Sequence, residues 1–430
     1  MFRPAPIVGL LLAGLLTGAS AAQAQISTAV RSKDPILGGG SELKKFRAGV
    51  VSDAAGERMA FRATIRDGTS SRQGVVRADA SGNGTIIAER DTATPSGSTY
   101  RNFLQPAINS AGDVAWFAFL GDGRRGVFRT LLADPSIDRV VVIEGASAPI
   151  GAYQLSDFDS PENTETGAVV FWGRANDTMS SNVAEGIFVC EGGDGDCVTG
   201  SGTASVLARN GDVVDGRELC EFGRSLHVSV YGATFIATTR TDCSSTSGNL
   251  EGVFRVDFAG SVGIEQIALV GNPTDIGGGD TYQRFRDTPS IEDDGIVAFR
   301  ADTSTSEAVF RCAPGSSCPG TNLPVSVVEK GQLHSGSELR RFGGPQISNN
   351  GDIVFQARPR GGTTVGRTLY VRRSGGAIER IVTGEQPLDD VGGATFRRVG
   401  THHVSPGGTV SFRSTVTGPV WRVALFLWQP

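Results

Sequence analysis

Histidine is nearly absent from this chain of 430 residues: His227, His334, His402 and His403 are the whole supply. A Ser, Cys or Thr nucleophile needs a positioned base beside it. No Asp or Cys stands in a recognisable motif with any of the four, so no catalytic residue is nominated. A phosphate-binding Walker loop, a dinucleotide-binding fingerprint and a zinc-protease helix are also missing. Apolar runs are scarce. Only Ile7 to Leu16 qualifies, and it is too short to span a bilayer comfortably. Methionine (3) and tyrosine (5) are few, whereas glycine is abundant (59) and Val, Ile, Thr and Phe are common. That is a turn-rich, all-β composition. With 39% hydrophobic residues and a net charge of only −5, a packed core is expected rather than disorder.

The first 24 residues read as an export signal. Arg3 supplies a positive start, Ile7 to Leu16 the apolar stretch, and Ala22-Gln23-Ala24 a small–x–small cleavage site. The mature chain is expected to begin at Gln25, secreted or periplasmic, as a monomer without a membrane span. Cysteine usage agrees. The six fall into close pairs, Cys190/Cys197, Cys220/Cys243 and Cys312/Cys318. Fifteen pairings are open to six cysteines, and the repeat register described next favours the local ones. Zinc is the competing reading, but the spacing does not recur and histidine is too rare, so disulfides of an oxidising compartment are expected.

A Gly followed by a large apolar residue recurs at nearly fixed intervals. The pairs are Gly112–Trp116, Gly167–Phe171, Gly232–Ile236, Gly295–Phe299, Gly351–Phe355 and Gly408–Phe412, with Gly56–Phe61 one residue longer. Successive apolar members lie 55, 55, 65, 63, 56 and 57 residues apart. A period of that length filled with β-type residues predicts a seven-bladed β-propeller of four-stranded antiparallel blades. Each unit starts at a Gly-rich turn with an apolar residue three positions on, as in Gly279–Tyr282. It then shows an inner strand (Pro345-Gln346-Ile347), a polar turn (Ser348-Asn349-Asn350-Gly351), an alternating second strand, a Gly-Val-Phe third strand and a β-branched fourth.

The units span about 38–92, 95–146, 149–210, 214–271, 277–331, 335–385 and 391–430. The last stops after its third strand. Ile26 to Val30, within residues 25–33, is the strand expected to complete it and close the ring, leaving no large unpaired edge.

The pattern Pro–x–Ile–Asn–x–x–Gly–x–Val–Ala–Phe, clearest in Pro106 to Trp116 and Pro345 to Phe355, resembles that of bacterial exported proteins with tandem NxxGxxAF-type repeats. More loosely it is similar to the TolB-like propeller repeat. The resemblance covers essentially the whole mature chain. It implies export and, for the first group, no enzymatic activity; TolB-like propellers imply a protein-interaction platform. Neither carries over a functional residue.

His227 falls in an inner strand and is expected to be structural. His402 and His403 alternate on the last inner strand, so one of them is expected to reach the central channel. The acidic clusters Glu191 to Asp196 and Glu292 to Gly295 have oxygen ligands suited to calcium. They sit at predicted hairpin turns, where Asp and Gly are wanted for backbone reasons, so no cofactor is expected and structural calcium is the lesser alternative.

Basic residues recur just before the inner strands. Lys45, Arg101, Arg284, Arg341 and Arg398 are nominated as a positive ring on one face, beside Lys44, Arg286, Arg340 and Arg397. The competing reading is solvated arginines paired with nearby acids. The negative net charge and the compartment exclude nucleic acid; an unknown protein or an acidic polysaccharide is the partner expected. The resulting expectation is an exported non-catalytic binding or interaction module. An exported glycan lyase or hydrolase with its site at the channel, or a structural envelope or matrix protein, are the alternatives.

Overall fold

The structure, a computed structural model, describes residues 25–430 except 37–40, 47–49, 52–57, 80, 151, 181, 193–196, 198–201, 245–247, 259–262, 314–317, 319–322, 362–365, 389–392 and 419–422. The leader read at 1–24, Gly56, and most of the Glu191–Asp196 cluster lie outside the described residues. Among the described residues, no helix is long and apolar enough to cross a membrane.

Seven antiparallel sheets, each of four or five strands, follow one another along the chain as the blades of a propeller. Blade 5 shows the plan, with Tyr282–Ile291 innermost, then Val297–Thr303, Glu307–Cys312 and Val325–Glu329. Blade 6 follows it with Gln346–Ile347, Ile353–Ala357, Thr368–Arg372 and Ile378–Val382. In blade 7, Thr395–Val404, Val410–Thr417 and Val423–Gln429 are joined by Gln25–Arg31, which pairs antiparallel with the last strand from Gln25↔Gln429 to Arg31↔Ala424.

Alternating Val, Ala and Phe put one face of each sheet against its neighbour. The buried apolar residues form seven clusters, one at each blade-to-blade interface. Ala29, Val30, Leu425 and Leu427 share one of them with Phe46 and Phe61 of blade 1. Within blades 2 to 7, an aromatic on the second strand stacks on one from the third. The pairs are Trp116–Phe128, Phe171–Phe188, Phe235–Phe254, Phe299–Phe310, Phe355–Tyr370 and Phe412–Phe426, with centroids 5.3 to 6.2 Å apart. In blade 4 the stacked residue is Phe235 and not Ile236. The Ser229 N–H donates to the Gly232 carbonyl, whereas in blade 2 the Asn109 N–H reaches Asp113, so the blade 4 turn is one residue shorter.

One hydrogen bond recurs at every blade junction. A residue in the left-handed region follows each outer strand: Lys33, Asp91, Gly145, Gly211, Gly271, Gly331 and Glu385. Its N–H donates to the first large apolar residue of the next inner strand, respectively Leu43, Tyr100, Leu155, Leu219, Tyr282, Leu339 and Phe396, at 2.5 to 2.9 Å. Third-strand arginines add a second link in three blades. Arg77, Arg129 and Arg255 donate to the carbonyls of Gly112, Gly167 and Gly295 in the following blade's first hairpin. Gly295 has no substitute there: its φ is +80°, and an added Cβ would lie 2.8 Å from the Tyr231 ring.

Cys190–Cys197, Cys220–Cys243 and Cys312–Cys318 are disulfides, with Cα separations of 5.9, 5.3 and 6.3 Å. Three such bridges mark an oxidising environment.

Candidate functional site

Each inner strand opens with two buried apolar residues three positions apart, such as Leu43/Phe46, Tyr282/Phe285 and Leu339/Phe342. Just after the first of them, a bulge interrupts pairing in six blades, and pairing resumes at Lys45, Asn102, Asp157, Glu221, Arg284 and Arg398. Arg341, one residue before Phe342, holds the corresponding place in blade 6. These positions lie on one face, called upper here; the hairpins between first and second strands lie on the lower face.

The nominated ring is therefore not continuous. Arg101 is extruded by its bulge and Asn102 takes the equivalent place. Asp157 and Glu221 put acids in blades 3 and 4. Those acids are paired, Asp157 with Arg125 and with Arg224 at 3.3 Å, and Glu221 with Arg240 at 3.1 Å. Arg284 acts on the neighbouring Glu251 carboxylate, whose pKa burial raises and Arg284 pulls back. Lys45 and Arg101 are exposed and line no described cavity.

Arg341 and Arg398 are placed differently. Arg341 lines a cavity of about 660 Å³ opening between blades 5, 6 and 7. Five arginines face it (Arg286, Arg300, Arg341, Arg358 and Arg367) against three acids, Asp287, Asp302 and Glu307. The acids are committed to two of the arginines: Arg286 bonds Asp302 at 2.6 Å, and Arg300 bonds Asp287 at 2.8 Å and Glu307 at 2.7 Å. Arg341, Arg358 and Arg367 form no ion pair among the described residues. Arg398 and Arg397 line a second cavity, of about 610 Å³, on blade 7.

Local folding explains how these charges meet. The Arg358 N–H donates to the Arg340 carbonyl, which sets the end of the second strand beside Arg341. Arg341 and Asp287 are both left-handed, with φ of 52° and 60°. Among the described residues, the other five non-glycine residues in that region lie in turns between blades, whereas these two line one cleft. A side chain held there costs on the order of 1 kcal/mol, strain that concentrates at ligand clamps.

Arg367 stands at the start of its third strand. The same place in blades 3, 4 and 5 holds Glu185, Glu251 and Glu307, and each accepts the N–H of Phe222, Phe285 or Phe342 in the next blade. Blades 2 and 6 carry a base at that place, Arg125, which is paired with Asp157, and Arg367, which has no ion pair among the described residues.

The channel narrows on the lower side to a cavity of about 50 Å³, with Glu162, His227 and His403 in its wall. These are next-to-last residues of their inner strands, as are Ser290 and Gln346. Three of this set buckle neighbouring blades. The Ile291 N–H donates to His227 Nδ1 at 3.4 Å, the Ile347 N–H to Ser290 Oγ at 3.2 Å, and the Val404 N–H to Gln346 Oε1 at 2.7 Å. His227 is structural in that sense. Its ring lies 6.2 Å from that of His403 across the channel, while His402 lines the arginine cleft.

Burial lowers the His227 and His402 pKa values to about 4, and that of His403 to about 3 with help from its imidazole neighbours. All three are neutral at neutral pH, far from the range where a general base works best. Burial raises Glu162 to about 8. Among the described residues, no group of three or more His, Cys, Asp or Glu could hold a metal ion. What the arginine cleft can do chemically is hold carboxylate or a similar anion through the guanidinium fork.

Residues 52–424 match the model of a family of unknown function, DUF7453. The chain belongs to that family. No curated protein is similar in sequence. Among solved structures, the chain resembles Porphyromonas gingivalis dipeptidyl peptidase 4 at 12% identity and a TM-score of 0.41, covering 90% of this chain and 50% of that one. It resembles a Xanthomonas campestris gluconolactonase at 13% identity and a TM-score of 0.34, covering 91% and 97%. It also resembles the Dos1 propeller at 9% identity and a TM-score of 0.37, covering 86% and 75%.

Sequence reasoning on this DUF7453 chain missed Arg358 and Arg367. Their signal was present: Arg367-Thr368-Leu369-Tyr370 stands where Glu251-Gly252-Val253-Phe254 and Glu307-Ala308-Val309-Phe310 stand in the preceding units, and Arg358 stands where Asp302 does.

Proposed function

We propose that this chain is an exported, non-catalytic binding module that holds an anionic ligand in the cleft of blades 5 to 7. The observation that carries the reading is the set Arg341, Arg358 and Arg367, three guanidinium groups on one cavity without an acidic partner among the described residues. In a chain of net charge −5 this is a local excess of positive charge, and a concave site with low-dielectric walls strengthens its pull on an anion. Among the described residues no Ser or Cys lines the cleft, and burial lowers the His402 pKa to about 4, which makes it a weak base. The three disulfides support export.

The test is calorimetric titration of the purified protein with digalacturonate at low and at high NaCl. Binding should weaken as salt rises, and R341A/R358A/R367A should lose at least about tenfold in affinity. Salt-independent binding, or an unaffected triple variant, removes the cleft from the function.

A further inference from the structure

We propose that the ligand is an acidic polysaccharide chain occupying two consecutive subsites, the blade 5–7 cleft and the second cavity, on blade 7. This rests on the anion-binding reading of the cleft and adds to it a second site, a direction and a ligand class.

One strand carries both subsites. The inner strand of blade 7, Thr395–Val404, presents Thr401 and His402 to the cleft, and Arg397 and Arg398 to the second cavity. From Arg398 to Thr401 a strand advances roughly 10 Å, beyond the reach of one acidic sugar and within that of a short oligosaccharide. Arg397 and Arg398 are exposed and form no ion pair among the described residues. The bulge positions of blades 3 and 4 differ in this respect, because Asp157 and Glu221 are already neutralised. Unpaired positive charge thus runs from Arg341 of blade 6 to Arg397 and Arg398 of blade 7, and Lys45 of blade 1 lies beyond them on the same face.

The rest of the lining selects a carbohydrate over an acidic protein segment. Thr288, Thr401, Gln346 and Gln356 line the cleft, and Thr415 and Thr417 the second cavity. Gln346 spends its carbonyl oxygen on the Val404 N–H, and Gln356 its amide nitrogen on the Gly400 carbonyl. One amide donor and one amide acceptor are left for ligand hydroxyls. Protein partners are held chiefly by Trp, Tyr and Arg hot spots in well-packed, desolvated pockets, and the cleft supplies the arginines without an open aromatic pocket beside them. Phe342, the one aromatic carbocycle in the cleft wall, is 3% exposed and packed into the core.

Titration with digalacturonate and hexagalacturonate, and with polyglutamate of matched charge, separates the possibilities. Hexagalacturonate should bind at least about tenfold more tightly than the dimer, because the second contact becomes intramolecular. R397A/R398A should remove that gain and leave dimer affinity within about twofold, with an unchanged melting temperature as the folding control. Equal affinity for dimer and hexamer overturns the second subsite while the cleft reading stands. A loss of dimer binding in R397A/R398A equal to that of hexamer overturns the division into subsites. Polyglutamate binding as tightly as hexagalacturonate overturns the carbohydrate class. If neither saccharide binds, this proposal and the cleft reading fall together.

Discussion

Blades 5 and 6 stand side by side with the same strand plan, yet they handle charge in opposite ways. At three equivalent upper-face positions blade 5 carries Arg284, Asp302 and Glu307; blade 6 carries Arg341, Arg358 and Arg367. In blade 5 the acids do structural work. Asp302 holds Arg286, and Glu307 both holds Arg300 and accepts the Phe342 N–H at 2.9 Å, fastening blade 6. In blade 6 the three bases face a cavity and repel one another. The link onward to blade 7 falls instead to Gln356, whose amide donates to the Gly400 carbonyl. Like charges facing each other across strands cost stability. The difference between the blades teaches that blade 6 gives up cross-strand pairing to keep its positive charge available.

That comparison can be broken or sharpened by experiment. The largest effect tests the frame both blades share: deleting residues 25–31 strips blade 7 of Val30 (0% exposed) and uncovers Leu425 and Leu427. A loss on the order of 5 kcal/mol is expected in denaturant unfolding; an unchanged midpoint would show that blade 7 stands without its fourth strand. Next, E307A should cost about 2 kcal/mol, since it leaves the Phe342 N–H without its acceptor and Arg300 with Asp287 alone. R367A, at the matching place in blade 6, should change stability by less than about 0.5 kcal/mol. Equal costs for the two would erase the distinction between the blades.

Glu162 of blade 3 supplies a pH control. Glu162 titrates near 8 in the fold, against an ordinary value of 4.5. Between those values the folded chain keeps a proton that the unfolded chain has released, so stability falls as pH rises from about 4.5 through 8. E162Q should abolish that fall, a gain on the order of 1 kcal/mol at pH 8 after allowance for solvent screening. Identical pH dependence of the wild-type and E162Q melting temperatures between pH 6.5 and 8 would show that this carboxyl is not perturbed. His227 and His403 act in the other direction and at lower pH, their stabilisation being lost as pH falls through about 6.5 toward 4 and 3. The smallest effect is the most pointed. R358D gives blade 6 the acid of blade 5 and should raise stability by about 0.5 kcal/mol, while lowering digalacturonate affinity at least about tenfold. A variant that is stabilised and still binds would separate the charge cost from the site.

Much of the architecture was legible because it is repetitive. The hairpin glycines, the second-strand aromatics and the local cysteine pairs each follow from backbone need at a recurring place. Ile236 was the wrong member of its unit because a turn one residue shorter is invisible without its hydrogen bond. Arg101 was nominated in place of Asn102 because a bulge shifts the register by one without changing composition. Arg358 and Arg367 escaped for a different reason. Each is ordinary alone, and only the acids Asp302 and Glu307 at the matching places in blade 5, together with the cavity all three bases share, make them conspicuous. A ring of bases was expected from a pattern that holds in four blades and fails where Asn102, Asp157 and Glu221 stand.

The pairing of Gln25–Arg31 with Val423–Gln429 has a consequence for how the molecule comes into being. Gln25–Arg31 finds its partner in Val423–Gln429, so its edge waits unpaired while the intervening blades are synthesised. The junction that Lys33 makes with Leu43 ties this waiting strand to blade 1 from the start. Closing this pair therefore bridges nearly all the described residues in one step, and contacts of that range are the slowest to form.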